Sequence, residues 1–289
     1  MGQTPIAPSP SLESVARAIC AARTLTFISR VGQGAFKETF QVAVADGSYC
    51  ALKVYRLGFS PERTQREMEA MTQCHHPNIA RLSSVFEFDY GVTKYLASLE
   101  EYLPGGTLQQ RVDRAGLLNS DQAQSIGVVL IDAVTHIASR GLVHRDLKPD
   151  NILFRADEPV IVDFGLVRNL QESSLTQTWM VRGPGTPYFA SPEQLVNDKN
   201  LIDWRSDQFS LGVLLSVCTF GFHPFQEEGT APQGVVDRVA QRVACTQRFV
   251  ESTQEFGLPA LVKMVSPWPV GRFRKPLQLA AAWSTQRGS

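Results

Sequence analysis

The sequence predicts an α+β chain in two lobes, a strand-rich part over residues 24–103 with one main helix and a mostly helical part over residues 104–285. Three observations predict it. Between Thr24 and Leu103 the β-favouring stretches LTFISRV, ETFQVAVA and SYCALKVY alternate with turn signals such as Asp46-Gly47, the pattern of an antiparallel meander. After the break at Pro104-Gly105-Gly106 the apolar residues fall at helical spacing instead. A length of 289 residues accommodates one large domain or two modest lobes with a sizeable core.

Each element has its own signal. Pro5, Pro8 and Pro10 deny regular structure to the N-terminal tip, and Leu12, Val15, Ala16 and Ile19 then recur at i, i+3, i+4 and i+7, so residues 1–23 are expected to be a flexible tip plus one short amphipathic helix. Within the meander one helix is expected from Pro61 to Cys74, with Ser60 as N-cap and Pro61 at the first helical position. In the second lobe Ile126, Val129, Leu130, Val134 and Ile137 mark a helix behind the polar stretch Asn119 to Gln122. Asp207 to Cys218 is apolar enough to be a helix buried on most sides. Helical segments and Pro-containing loops alternate from there to Trp283, and residues 286–289 form a short tail.

Charge and cysteine usage narrow the function classes. Lys plus Arg number 28 and Asp plus Glu number 28, so the formal net charge is zero, and hydrophobic residues make up 43%. Wholesale disorder is excluded, and neutrality argues against a protein that grips nucleic acid or an anionic membrane by bulk charge. The basic residues beyond Glu255 are read as a solvated surface. Five cysteines, an odd number with no CxxC pair, indicate neither a disulfide framework nor a zinc site. A reducing cytoplasmic setting is expected. The opening residues MGQTPIAPSP lack the basic patch and apolar run of a secretory signal, so none is expected, and the most apolar run, Leu211 to Phe222, is well short of the roughly twenty residues a spanning helix needs.

The chemistry resides in a few strings. Val31-Gly32-Gln33-Gly34 is a turn whose two glycines let backbone N–H groups approach a phosphate, although a GxG turn alone is only a tight turn, and Lys37 stands where a third glycine would complete the pattern. Lys53 ends a strand among apolar neighbours, where an ammonium is costly to bury without an anion, and Glu67 on the following helix is one candidate partner. The string His144-Arg145-Asp146-Leu147-Lys148-Pro149-Asp150-Asn151 is followed twelve residues later by Asp163-Phe164-Gly165 at the end of the apolar strand Val160 to Val162. Phosphoryl transfer from ATP needs a divalent cation on hard oxygen ligands, a carboxylate beside the attacking hydroxyl, and positive charge on the transferred group. Asn151 and Asp163 offer the metal oxygens, Asp146 the carboxylate and Lys148 the charge.

With both strings present in order, the chain resembles the Hanks-type protein kinases over about Phe27 to Trp283. The resemblance implies a bilobal kinase fold, with an antiparallel-sheet small lobe, a helical large lobe, and ATP in a cleft hinged near Glu101 to Leu103. It implies ATP with Mg²⁺ or Mn²⁺ as cofactors. By the family's pattern, Val31, Gly32, Gly34, Thr39, Ala51, Lys53, Glu67, Glu101, Leu103 and Leu153 bind the nucleotide, with Ala51 and Leu153 enclosing the adenine. Glu100 then occupies the gatekeeper position, which usually holds an apolar residue or Thr; its carboxylate either raises its own pKa by burial or finds a cationic partner.

Lys148 two residues after Asp146 resembles the serine/threonine branch, and the local sequence resembles bacterial members, so the implied partners are proteins with Ser or Thr acceptors, with no nucleic acid or membrane. Gly185-Thr186 with Ser191-Pro192-Glu193 resembles the end of an activation segment. The resemblance pairs Glu193 with Arg272, lets Asp207 hold the catalytic-loop backbone, and makes Arg145 a cation that a phosphate on the segment can neutralise. Thr176 and Thr178, then Ser174 and Ser173, are the expected autophosphorylation sites. Two alternatives stand beside the active kinase. A scaffolding pseudokinase is suggested by Lys37, Thr39 and Glu100. A small-molecule phosphotransferase shares the core but generally lacks Arg145 and the GT…SPE segment.

Overall fold

The computed structural model describes residues 10–34, 37–56, 72, 74–163, 168–169 and 186–285. The chain divides into two compact units, one of Met1–Gln73 with Arg81–Tyr102 and one of Cys74–Ala80 with Leu103–Ser289.

The first unit is a five-stranded antiparallel sheet in the order β1-β2-β3-β5-β4, made of β1 (Thr26–Gln33), β2 (Lys37–Ala43), β3 (Tyr49–Tyr55), β4 (Leu82–Tyr90) and β5 (Thr93–Glu101). It begins with helix α1 (Leu12–Ala22), N-capped by the Ser11 side chain, which accepts from the Ser14 N–H. Strand alternation sends successive side chains to opposite faces, and here the two faces differ in chemistry. Phe40 and Val42 of β2, Leu52 and Val54 of β3, and Tyr95 and Ala97 of β5 join Leu12, Val15, Ala16, Ile19 and Cys20 of α1 in one core. Val15 and Ile19 are fully buried there, each contributing about 1.5–3 kcal/mol. The guanidiniums of Arg17 and Arg23 lie over the Phe27 and Phe86 rings, 3.9 and 3.4 Å from the centroids. The other face carries Thr39, Ala51, Lys53, Ser98 and Glu100, brought into line by the pairings Thr39 with Lys53 and Lys53 with Ser98.

The second unit is mainly helical. Helices α2 (Leu108–Ala115) and α3 (Ser120–Ser139) both start with capping boxes, Thr107 with Gln110 and Asn119 with Gln122. Short strands β6 (Leu142–Val143), β7 (Ile152–Arg155), β8 (Glu158–Ile161) and β9 (Arg168–Asn169) form two hairpin-sized sheets. Then follow α4 (Thr186–Phe189), α5 (Pro192–Leu195), α6 (Trp204–Phe220), α7 (Pro232–Ala240), α8 (Gln247–Glu255), α9 (Ala260–Met264) and α10 (Pro276–Ser284). As its composition predicts, α6 is buried on most sides, from Ser206 through Ser216. It packs against α3 and α9, and α10 closes on α3.

That last contact depends on a missing side chain. A Cβ built on Gly127 would lie 2.2 Å from the Trp283 ring, so only glycine admits the indole. Trp283 donates its ring N–H to the Gln124 carbonyl at 3.0 Å, and Gln124 Nε2 donates to the Trp283 carbonyl at 2.6 Å. No described helix is long and apolar enough to cross a membrane.

Candidate active site

The second unit hangs a loop, residues 144–151, between β6 and β7. Asp207, in the first turn of α6 and 1% exposed, accepts the backbone N–H of His144 through Oδ2 at 2.7 Å and that of Arg145 through Oδ1 at 2.8 Å. Burial pushes the Asp207 carboxyl up to about 7, opposed by these two N–H donors. The same two bonds hold Arg145 in a left-handed conformation, φ 68°, which costs a side-chain-bearing residue about 1–3 kcal/mol.

His144 is fully buried and uses both ring nitrogens. Nδ1 accepts the Asp146 N–H at 3.2 Å, so Nε2 carries the proton that reaches the Val162 carbonyl at 3.0 Å. Burial drives its pKa down, consistent with a neutral ring in this tautomer. One imidazole thus ties the backbone of Asp146 to the residue before Asp163. Asp163 is also left-handed, φ 68°. The Val162 N–H meets the Asn151 carbonyl at 2.9 Å, a second tie between the same segments.

Asn151, 3% exposed, donates Nδ2 to the Asp146 carbonyl at 2.7 Å and to Asp146 Oδ2 at 3.0 Å. Lys148 Nζ lies 3.2 Å from the same Oδ2. Asp146, Lys148 and Asn151 therefore form one cluster, with Asp163 fixed to it through the backbone. Asn151 and Asp163 carry hard oxygens of the kind a divalent cation selects.

A buried ion pair supports the loop from behind. Glu193 in α5 meets Arg272 at 2.6 and 3.0 Å, with both side chains wholly inaccessible. All five guanidinium donors are received, since Nε reaches the Ser266 carbonyl, Nη1 the Arg205 carbonyl and Nη2 the Pro267 carbonyl besides the carboxylate. Ser206 Oγ adds a 2.7 Å bond to Glu193. Burial pushes the Glu193 carboxyl up, but the hydrogen bonds and charge of Arg272 outweigh it and hold the group below its ordinary value. From the same helix Gln194 Nε2 donates to the Arg145 carbonyl at 2.9 Å, while its Oε1 accepts from Ser191.

In the first unit, Lys53 Nζ meets Glu100 Oε2 at 2.5 Å, and Glu100 Oε1 accepts Ser98 Oγ–H at 2.9 Å. Lys53 is 5% exposed and Glu100 9%. Of the two outcomes open to Glu100 from sequence, the cationic partner is the one found. Ala51 is buried and Thr39 half-buried on this face, while Val31 is exposed where the β1 register shifts between Arg30 and Gly32. The Gly34 N–H donates to the Lys37 carbonyl at 2.9 Å. The Glu101 N–H meets the Arg81 carbonyl at 2.8 Å. In the second unit, Leu103 is buried with Ala80, Val160 and Val162, and Leu153 packs against them. Glu67, Ser173, Ser174, Thr176 and Thr178 lie outside the described residues, as does the side chain of Thr186 at the start of α4.

The sequence pattern of the protein kinase domain matches residues 25–263. The chain belongs to the protein kinase family. Among curated relatives of this kinase domain, it is 32% identical over 206 residues to "Probable serine/threonine-protein kinase PknB" of Lactococcus lactis, covering 68% of this chain and 32% of that protein. It is 35% identical over 209 residues to CBL-interacting protein kinase 24 of Oryza sativa, covering 68% and 44%. It is 33% identical over 202 residues to serine/threonine-protein kinase AtPK2/AtPK19 of Arabidopsis thaliana, covering 68% and 41%. The kinase domain thus spans less than half the length of these relatives.

Three participants carried no role in the sequence reading. His144 sits inside the quoted string, but its two ring bonds depend on Val162 lying alongside. Gln194 is visible as the third residue after Ser191 in a capping pattern, which does not announce its reach to Arg145. Ser98 had a signal, a polar residue two before Glu100 and so on the same face of the strand.

Proposed function

We propose that this kinase domain is an ATP-dependent serine/threonine protein kinase. The observation that carries the reading is the cluster of Asp146, Lys148 and Asn151 on one loop, tied through His144 and Val162 to Asp163. In the reaction a Ser or Thr oxygen of a protein substrate bonds to the γ-phosphorus as the bond to the β,γ-bridging oxygen breaks. ADP leaves with that electron pair, and the hydroxyl proton passes toward the Asp146 carboxylate. Lys148, beside Asp146 Oδ2, offers its ammonium to the moving phosphoryl oxygens. Asn151 and Asp163 would hold Mg²⁺, which supplies charge neutralisation to the phosphates. Lys53 offers its charge to the α- and β-phosphates. The choice of Ser and Thr over Tyr rests on Lys148 in its string and on the names of the relatives.

Autophosphorylation in the window 173–178, with Arg145 as the cation answering the phosphate, belongs to the same proposal. The test is incubation with MgATP followed by intact mass and peptide mapping, with transfer to a generic protein substrate measured alongside. Asp146→Asn, with unfolding behaviour near that of the parent, is expected to transfer phosphate about 10²–10⁴ times more slowly. Near-normal transfer by Asp146→Asn would overturn the assignment, and parent protein that binds MgATP but phosphorylates neither itself nor a substrate would turn attention to a scaffold.

A further inference from the structure

The pairing of Lys53 with Glu100 points to something the proposed reaction does not require. The two residues sit diagonally on adjacent strands, since Lys53 pairs with Ser98 and Ala51 with Glu100, so their side chains emerge on the same face two residues apart. The ammonium and the carboxylate meet at 2.5 Å, and Ser98 holds the second carboxylate oxygen at 2.9 Å. At 5% and 9% exposure, solvent screens this contact far less than it would a surface pair. A phosphate that approaches Lys53 therefore meets a centre whose positive charge is already matched by a fixed negative one. The serine hydroxyl keeps that carboxylate oriented.

We propose that Glu100 is a built-in competitor for the nucleotide's phosphates, an affinity-setting residue that weakens the hold of Lys53 on any anion. This rests on Lys53 being the residue that meets the phosphates. Competition between two anions for one ammonium has a signature that a steric role lacks: it acts on ligands in proportion to the charge they bring to Lys53. Removing the carboxylate should strengthen binding of a nucleoside diphosphate and leave the uncharged nucleoside alone. A residue that merely shapes the base pocket would shift both together.

The test is calorimetric titration of the full chain with MgADP and, separately, with adenosine. Glu100→Gln keeps the shape and the bond to Ser98 while removing the charge, and is expected to tighten MgADP about tenfold, the lower end of what close charge pairs contribute, with adenosine unchanged. Glu100→Asp, which keeps the charge but draws it back by one methylene, guards against misfolding of the first variant and is expected to tighten MgADP a few-fold. Equal or weaker MgADP binding in the folded variants, or equal gains for MgADP and adenosine, would overturn the proposal. Lys53→Met separates the two layers. If it leaves MgADP affinity intact, the assignment of Lys53 to the phosphates fails; if it lowers that affinity while Glu100→Gln changes nothing, only the competitor role fails.

Discussion

Removing the guanidinium of Arg272 is expected to be among the costliest single changes in the second unit. The side chain places five donors against five acceptors, at 2.6 to 3.3 Å, with no access to solvent. Arg272→Ala leaves the Glu193 carboxylate buried with Ser206 and its own backbone N–H but no cation to answer it, and three backbone carbonyls lose a donor. Breaking a buried pair from one side costs about 3–5 kcal/mol, which for a domain of this size lowers Tm by about 6–20 °C. Arg272→Lys keeps the charge but offers three donors from one point, so it should recover only part of the loss. The pair Glu193→Leu with Arg272→Met removes both charges and should be more stable than Arg272→Ala alone. Because the Glu193 carboxyl is held below its ordinary value, the pair stabilises the fold above the unfolded carboxyl range near about pH 4.3. That contribution is lost as pH falls through the lower folded value. Thermal unfolding by circular dichroism across pH measures all of this. A loss of under about 1 kcal/mol for Arg272→Ala, or a double variant no better than the alanine, would refute the desolvation argument.

Gly127→Ala is expected to force Trp283 out of its seat, since the added Cβ falls 2.2 Å from the ring, and to cost about 1–3 kcal/mol or more; thermal melting with Trp fluorescence reports both the loss and the displaced indole. His223 accepts the Phe225 N–H at Nδ1 and meets the Tyr188 carbonyl through Nε2, and burial pushes its pKa from 6.5 down to about 3. A depressed folded value means that its stabilising contribution is complete above about pH 6.5 and declines below it, by about 2 kcal/mol at pH 5. His223→Gln should take up about one proton fewer on unfolding between pH 4 and 6, read from the slope of stability against pH; an unchanged slope would show that this ring is not the neutral, buried group described.

How much of this was legible depended on how far apart the participants lie in the chain. The strands of the first unit follow from alternation and turn residues within ten positions of one another, and α6 from an apolar run with no polar face. The cluster of Asp146, Lys148 and Asn151 is legible because five residues of chain already hold it together. The partner of Glu100 was not, because Lys53 lies 47 residues away and only the register of β3 with β5 makes them neighbours. Gly127 is equally silent: a glycine inside a helical pattern signals weakness until an indole from the far end of the chain is found against it. The α1 face was legible as amphipathic, but amphipathicity says only that a helix needs a partner, not that the partner is the face of the sheet bearing Phe40, Leu52 and Ala97.

That partnership sets the limits of the folding unit. The kinase pattern begins at residue 25, yet Leu12, Val15, Ala16, Ile19 and Cys20 already belong to the core beneath Phe40, Leu52 and Ala97. A chain trimmed to the family boundary would keep Asp146, Lys148, Asn151 and Asp163 and lose the helix that covers one face of its sheet, leaving apolar side chains open to other molecules. The family pattern marks where the sequence is shared; the hydrophobic layer marks how much chain this sheet uses to cover one of its faces.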